Sequence, residues 1–496
     1  MRRLFFIFFF LLGFGVGAPW AHANERVIDY SLEVSFNIEA SKIKGIATFP
    51  IKKGEEISLE QGNLNLLDVT LNGEGIEFSS HAETISIQPS RDGKIKIGFE
   101  GIFERSGQDG TGNLIDPKGI FLTGTWYPKP GQMCTYHLVA ALPEEYEAIS
   151  EAERIDKARK GDSVLFVFDF PHPLDSITLV AADRYKKVED RFSGVELLAY
   201  FFKEDAHLIP TYLEHAKHYL KLYENLIGKF PYRRFSIVEN FLPTGYSMPT
   251  YTLLGQEVVR LPFIPETSLG HEILHQWFGN FVYIDTSKGN WAEGLTTYLA
   301  DHLYEEEKGR GFEYRKGLLI DYQSYVNDQN EFPLKDFRQR TDPASEAIGY
   351  GKALMVFQML KRMGGEDRFY ESLRSFTAEN RFRKASWGDI QRAFEKYYQK
   401  DLAWFFNQWI NGKGLAEIIL EGAEVKPSGP RFEVSFTVSQ KGEIYALDFP
   451  VALYSYRGKF ENSFHLDKKK VTFKMLIDDI PERLAVDEDY ALARKL

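Results

Sequence analysis

One cysteine, Cys134, stands in a chain of 496 residues, so no internal disulfide can brace the fold. Stability has to come from a core, which 44% hydrophobic residues in a chain of this length can supply. Cys134 is far from the amino terminus, which excludes a lipid-anchored cysteine there, and a buried small apolar side chain accounts for it without chemistry. Basic blocks are also missing: the formal charge is −11, and Lys468-Lys-Lys470 reads as a solvated strand end rather than a nucleic-acid contact. Past the opening residues no stretch is apolar enough to span a bilayer. No internal repeat or low-complexity tract is found.

The opening residues have the composition of an export leader. Arg2 and Arg3 form a positive start, Leu4 to Leu12 is an uncharged run rich in phenylalanine, and Ala21-His-Ala23 places small residues at a cleavage site. The apolar stretch from Leu4 to Ala18 is 15 residues, short of the roughly 20 that a spanning helix needs. A signal peptide over 1–23, cleaved after Ala23, is expected, with a periplasmic or extracellular destination. Its loss makes the acidic chain two units more negative.

The densest chemistry lies in His271-Glu-Ile-Leu-His-Gln-Trp-Phe-Gly-Asn280 and Asn290-Trp-Ala-Glu-Gly294. On a helix His271 and His275 project from one face and can close on one tetrahedral ion. Glu272 is rotated by about 100° from His271, so it flanks the metal and suits a general base. Glu293 supplies the natural third ligand, leaving a fourth position for water. A His-Glu-x-x-His match arises by chance on amphipathic helices as well. Here the surrounding segment, Thr267 to Val282, is largely apolar, and two imidazoles and a carboxylate would be costly to bury there without a metal.

These motifs resemble the membrane-alanyl-aminopeptidase family of gluzincin metallopeptidases. The resemblance implies one zinc per chain on His271, His275 and Glu293, with Glu272 as general base. Members usually place the glutamate one residue further on, a shortening that the loop 283–289 can absorb. Ile348-Gly-Tyr-Gly-Lys-Ala-Leu-Met355 resembles the family's Tyr-x-Lys-Gly helix start, with Ala353 for the glycine. That makes Tyr350 the expected donor to the tetrahedral intermediate. The family's Gly-x-Met-Glu-Asn motif, whose glutamate binds the substrate's free α-amino group, is matched by Thr244-Gly-Tyr-Ser-Met-Pro-Thr250. Gly245, Tyr246, Ser247 and Met248 are therefore candidate substrate-binding residues, and Ser247 in place of the glutamate cannot ion-pair with an ammonium.

Periodicity divides the chain into three parts after the leader, a multidomain α+β protein. From 24 to 200 short alternating runs such as Tyr30-Ser-Leu-Glu-Val-Ser-Phe36 and Lys94-Ile-Lys-Ile-Gly-Phe99 indicate an amino-terminal β domain. From 201 to 414 helical periods dominate, through the metal segment, Trp291 to Glu307, Gly351 to Met363, Asp367 to Phe376 and Trp387 to Trp409. The strand Phe230 to Asn240 interrupts them. The resemblance implies a thermolysin-like, mainly helical catalytic domain here, ending near the aromatic cluster Leu402 to Trp409, which is expected to be core packing. From 415 to 496 strand periods return, predicting a small β sandwich. The large helical domain that many members carry after it is not expected.

The expected function is that of an exported zinc peptidase acting on peptide or protein substrates, without nucleic acid or membrane span. Aminopeptidase action is the family default. An endopeptidase, or a peptidase indifferent to a free amino terminus, is the alternative that Ser247 raises. A non-catalytic peptide-binding module would have no need of Glu272, and hydrolysis of a non-peptide substrate would require a lipid-sized apolar channel.

Overall fold

The computed structural model describes residues 26–81, 83–104, 112–243 and 245–496. The expected leader and Thr244 lie outside the described residues. The chain divides into two compact units, one comprising the chain up to Leu220 with Phe230–Gln276, the other Lys221–Lys229 with Trp277–Leu496.

The first unit is mostly strand. Ile28–Asn37, Lys42–Ile51, Cys134–Pro143 and Ser163–Leu174 alternate inward and outward residues along much of their length, the period of a half-buried strand. With Gly93–Ile102 and shorter partners they make an eight-stranded sheet. It is antiparallel except where Ile28–Asn37 runs parallel to Cys134–Pro143. Two four-stranded sheets accompany it. Trp126 and Tyr127 are fully buried; the Trp126 indole donates to the Ile177 carbonyl at 2.8 Å, and the Ile177 amide donates to the Tyr127 hydroxyl at 3.0 Å. Cys134 is buried as expected, and burial pushes its thiol up to about 12.

A five-stranded sheet also belongs to this unit, in the order Tyr185–Phe192, Val195–Phe202, Arg234–Asn240, Tyr251–Gly255, Gly245–Met248. The three inner strands are parallel and the two outer pairings antiparallel. Arg234–Asn240 and Tyr251–Gly255 are buried throughout, as strands covered on both faces must be. A division at residue 200 falls inside Val195–Phe202 and would part it from Arg234–Asn240. Gly245–Met248 is the sheet's outer strand on one side.

In the second unit helices dominate to Asn411. Ala292–Thr297 passes through a π-helical stretch, Tyr298–His302, into Leu303–Glu307. A second π-helical stretch, Ala347–Lys352, leads into Ala353–Gly364. Glu366–Glu379 and Trp387–Tyr398 follow, the latter opened by a reciprocal cap between Ser386 and Asp389. The helix Gly311–Tyr325 is one that periodicity does not mark. Its buried positions are Gly311, Arg315, Leu319 and Tyr322, correctly spaced for one face but half of them neither aliphatic nor aromatic. Arg315 is satisfied by the Asp489 carbonyl and Glu306.

The aromatic cluster is core packing as expected: Phe405, Phe406 and Trp409 are buried, and Trp409 stacks on Tyr445 at 5.0 Å. Beyond it lie two three-stranded sheets, Glu417–Ser428, Arg431–Lys441 and Lys470–Ile477 in one, Gly458–Leu466, Leu447–Ser455 and Pro481–Val486 in the other. Phe436 and Phe473 of the first meet Phe449 and Phe464 of the second, with ring centroids 5.1–5.5 Å apart. That shared aromatic layer makes the pair a sandwich. Among the described residues no helix is long and apolar enough to cross a membrane.

Candidate metal centre

The helix Ser268–Leu274 carries His271 and Glu272, and His275 continues it with helical backbone angles. All three side chains are buried. The His271 and His275 rings are 5.0 Å apart, centre to centre, at 69° to one another, so neither blocks the other from a common point.

What holds this helix is Gln276, a residue with no assigned part in the metal motif. Gln276 donates to the Ser247 hydroxyl at 2.9 Å and to the Met248 carbonyl at 2.8 Å, and accepts from the Thr250 amide at 2.8 Å. Ser247 in turn donates to the Glu272 carbonyl at 2.8 Å. The strand Gly245–Met248 is thereby fastened to the metal helix through side chains rather than by burial alone. The turn beyond it shows the strength of the fastening. Thr250 has φ +73°, a conformation that a β-branched residue adopts at a cost. It is held there by the Gln276 oxygen, by the Ala152 amide donating to its hydroxyl at 3.1 Å, and by the Ser236 amide donating to its carbonyl at 2.8 Å. Replacing Gln276 with Ala removes its bonds to Ser247, Met248 and Thr250 and orphans the buried Thr250 amide. At roughly 1–3 kcal/mol per buried group left unmet, a loss of a few kcal/mol is expected. Urea unfolding checks it; a change below about 0.5 kcal/mol, less than one ordinary hydrogen bond contributes, would show that the hairpin does not depend on Gln276.

The four candidate substrate residues divide by face. Tyr246 is buried with Met248 packed beside it in the core formed with Leu253, Val238 and Phe121, its ring 6.1 Å from that of Phe121. Ser247 faces the metal helix and is committed to Glu272 and Gln276. Gly245 pairs with Leu254.

Glu293 is placed by its own local sequence. Asn290 accepts from the Ala292 amide at 3.0 Å and donates to the Arg338 carbonyl at 3.1 Å, a side-chain turn that starts the helix. Trp291 is buried between Phe278 and Phe376 and donates to the Ala385 carbonyl at 2.8 Å. Gly294 permits a close approach: a Cβ there would stand 2.2 Å from that of Ala353 and 3.1 Å from the Gly349 carbonyl. This contact sets the Glu293 helix against the turn bearing Tyr350. Gly289, at φ +100° and with no room for a Cβ beside the Leu334 carbonyl, closes the shortened loop.

Tyr350 lies in the π-helical stretch, its ring edge-on to Phe337 at 6.0 Å. Burial, the Glu293 charge and a hydrogen bond with that carboxylate hold its hydroxyl protonated far above the usual tyrosine range. Two residues on, Lys352 is buried and donates to the Gly412 carbonyl at 3.0 Å; burial lowers it to about 8. It anchors the helix start rather than pointing an exposed charge.

His271, His275 and Glu293 each offer a ligand atom, and these atoms lie within 4.8 Å of one another. Two imidazoles and a carboxylate, all buried, are the donor set of a zinc site with an open position. Residues 266–409 match the model of the peptidase family M1 domain. This segment is similar to that domain. It contains every metal-site residue named above and Tyr350, while Gly245 to Met248 precede it.

Likeness to known proteins extends over a longer span. The chain is 18% identical over 445 residues to probable aminopeptidase 2 of Sulfurisphaera tokodaii, covering 81% of this chain and 56% of that one. It is 19% identical to tricorn protease-interacting factor F2 of Thermoplasma acidophilum, covering 77% and 52%. The chain thus spans about half the length of these curated relatives. Aminopeptidase A of Legionella pneumophila, solved with aspartic acid, superposes with a TM-score of 0.73 at 16% identity, over 96% of this chain and 60% of that one. An M1 zinc metallopeptidase of Deinococcus radiodurans, solved as a point mutant, gives 0.63 at 15%, over 79% and 96%. These likenesses support the multidomain fold.

Proposed function

We propose that the chain is an exported zinc peptidase of aminopeptidase type, hydrolysing peptide bonds with Glu272 as general base. The observation that carries this is the convergence of His271, His275 and Glu293, with Glu272 on the buried helix that bears the two histidines. When bound, zinc supplies Lewis acidity that polarises a carbonyl and makes water a nucleophile near neutral pH. Glu272 takes the proton as water attacks and returns it to the leaving amine. The Tyr350 hydroxyl, protonated over the whole working range, donates to the oxygen that gains charge. The outer strand Gly245–Met248, rigidly tied to the Glu272 helix by Ser247 and Gln276, suits an extended peptide, which can add to a sheet edge through backbone bonds. Export is supported by the leader-like composition of residues 1–23.

A second reading, a peptidase with no need of a free amino terminus, is favoured by Ser247. Its hydroxyl is engaged by the helix, and an ammonium would find no carboxylate at that position. Hydrolysis of matched free and acetylated peptides by the purified protein, carrying about one zinc per chain, separates the two. A preference for the free amine above roughly a hundredfold, about 2.7 kcal/mol, establishes the aminopeptidase. Comparable rates establish the second reading. Failure to cleave either series at full zinc content would overturn both.

A further inference from the structure

Arg234 opens the second parallel strand of the five-stranded sheet, and its side chain is only 5% exposed. In register it lies beside Glu196, whose carboxylate is 3.8 Å from Nε, beyond the roughly 2.7–3.2 Å of an N–H···O bond. Nε is buried without a hydrogen-bond partner among the described residues, and the Tyr200 hydroxyl meets the guanidinium elsewhere. A guanidinium presents a planar fork of donors suited to two acceptor oxygens at once, and burying Nε with its demand unmet is costly.

Arg234 lines a cavity of about 80 Å³. Strand alternation builds its wall, since Glu196 and Tyr200 lie on one face of their strand and Lys187 stands opposite Tyr200 in the antiparallel register. Lys157 and its register partner Phe166 form another side. The two lysines have acids at bonding distance: Lys157 is 2.6 Å from Glu147 and Lys187 is 2.7 Å from Glu189. Of the three lining cations, Arg234 alone lacks such an acid among the described residues. The volume exceeds the roughly 10–15 Å³ that one water requires and admits a few heavy atoms, which excludes a nucleotide or peptide.

We propose that this cavity binds a small oxyanion, of phosphate or carboxylate type, gripped by the Arg234 fork with Lys157 and Lys187 beside it. None of the metal-binding residues lines the cavity, and the site makes no use of Glu272. Calorimetric titration of the full chain with inorganic phosphate, and in parallel with succinate, tests it. One saturable site per chain is expected for at least one of the two, and the tighter of them identifies the anion type. Arg234→Gln should weaken binding at least tenfold and Arg234→Lys by less, because an ammonium cannot span two oxygens. Lys157→Gln with Lys187→Gln, at partly exposed positions, should weaken it several-fold without loss of fold, and decides the matter if Arg234→Gln does not fold. The proposal is overturned by the absence of saturable binding for both anions, or by affinity unchanged in the folded variants. Binding that survives Arg234→Gln but disappears with Glu293→Ala would place the anion at the metal ligands and overturn it equally.

Discussion

Glu272→Gln is expected to lower kcat by roughly 10²- to 10⁴-fold, the usual contribution of a positioned general base, while the protein keeps about one zinc per chain. Gln has the shape of Glu and fills the same buried space, but its amide cannot take a proton. The fastening of the helix is untouched, because Ser247 bonds to the backbone carbonyl at 272 and not to the side chain. The three ligand side chains are likewise unchanged. Steady-state kinetics with elemental analysis on one preparation check both halves. Retained kcat would remove Glu272 from the chemistry, and loss of zinc would make it part of the metal's support.

Tyr350→Phe should lower kcat by on the order of 10² to 10³ with KM within a few-fold of wild type, the pattern of a donor used only as charge develops on the substrate oxygen. The substitution deletes one hydroxyl and keeps the ring against Phe337. Full kcat in the variant would exclude Tyr350 as the donor. A fall in zinc content instead would show that the hydroxyl serves chiefly to hold Glu293, with which it shares a hydrogen bond. Metal analysis beside the kinetic constants therefore separates a role on the substrate from a role on the ligand.

The ligand set is legible in the sequence because its logic is local. Two histidines four residues apart share a helix face by geometry alone, and the Asn-Trp-Ala-Glu-Gly segment carries its own turn: Asn290 starts the helix that presents Glu293. The strand alternations of the amino-terminal and carboxy-terminal regions are equally plain, since a half-buried strand writes its period into neighbouring residues. Gly311–Tyr325 escapes such a reading because an arginine and a glycine occupy its inward face, and the partners that make Arg315 acceptable there, Glu306 and the Asp489 carbonyl, are remote in sequence or unremarkable.

What Ser247 does is visible only in three dimensions. The sequence shows an absent carboxylate; the structure shows a hydroxyl employed between the Glu272 carbonyl and Gln276, and a threonine held at positive φ by separate hydrogen bonds from three sides. Gln276 stands next to a histidine of the motif and gives no sign of its reach across 26 to 29 residues to the outer strand and the turn after it. Tyr350 approaches Glu293 because Gly294 and Ala353 pack without a second Cβ between them, so a position that departs from the family's glycine is accommodated by its neighbour. The Arg234 cavity draws on separate strands, none of which carries a motif. The chain determined by itself what its spacing could place on one helix or one strand face, because those relations depend on backbone geometry that every sequence shares. Tertiary structure decided which side chains are spent on holding the parts together and which are left to meet a ligand, because that depends on partners that sequence distance conceals.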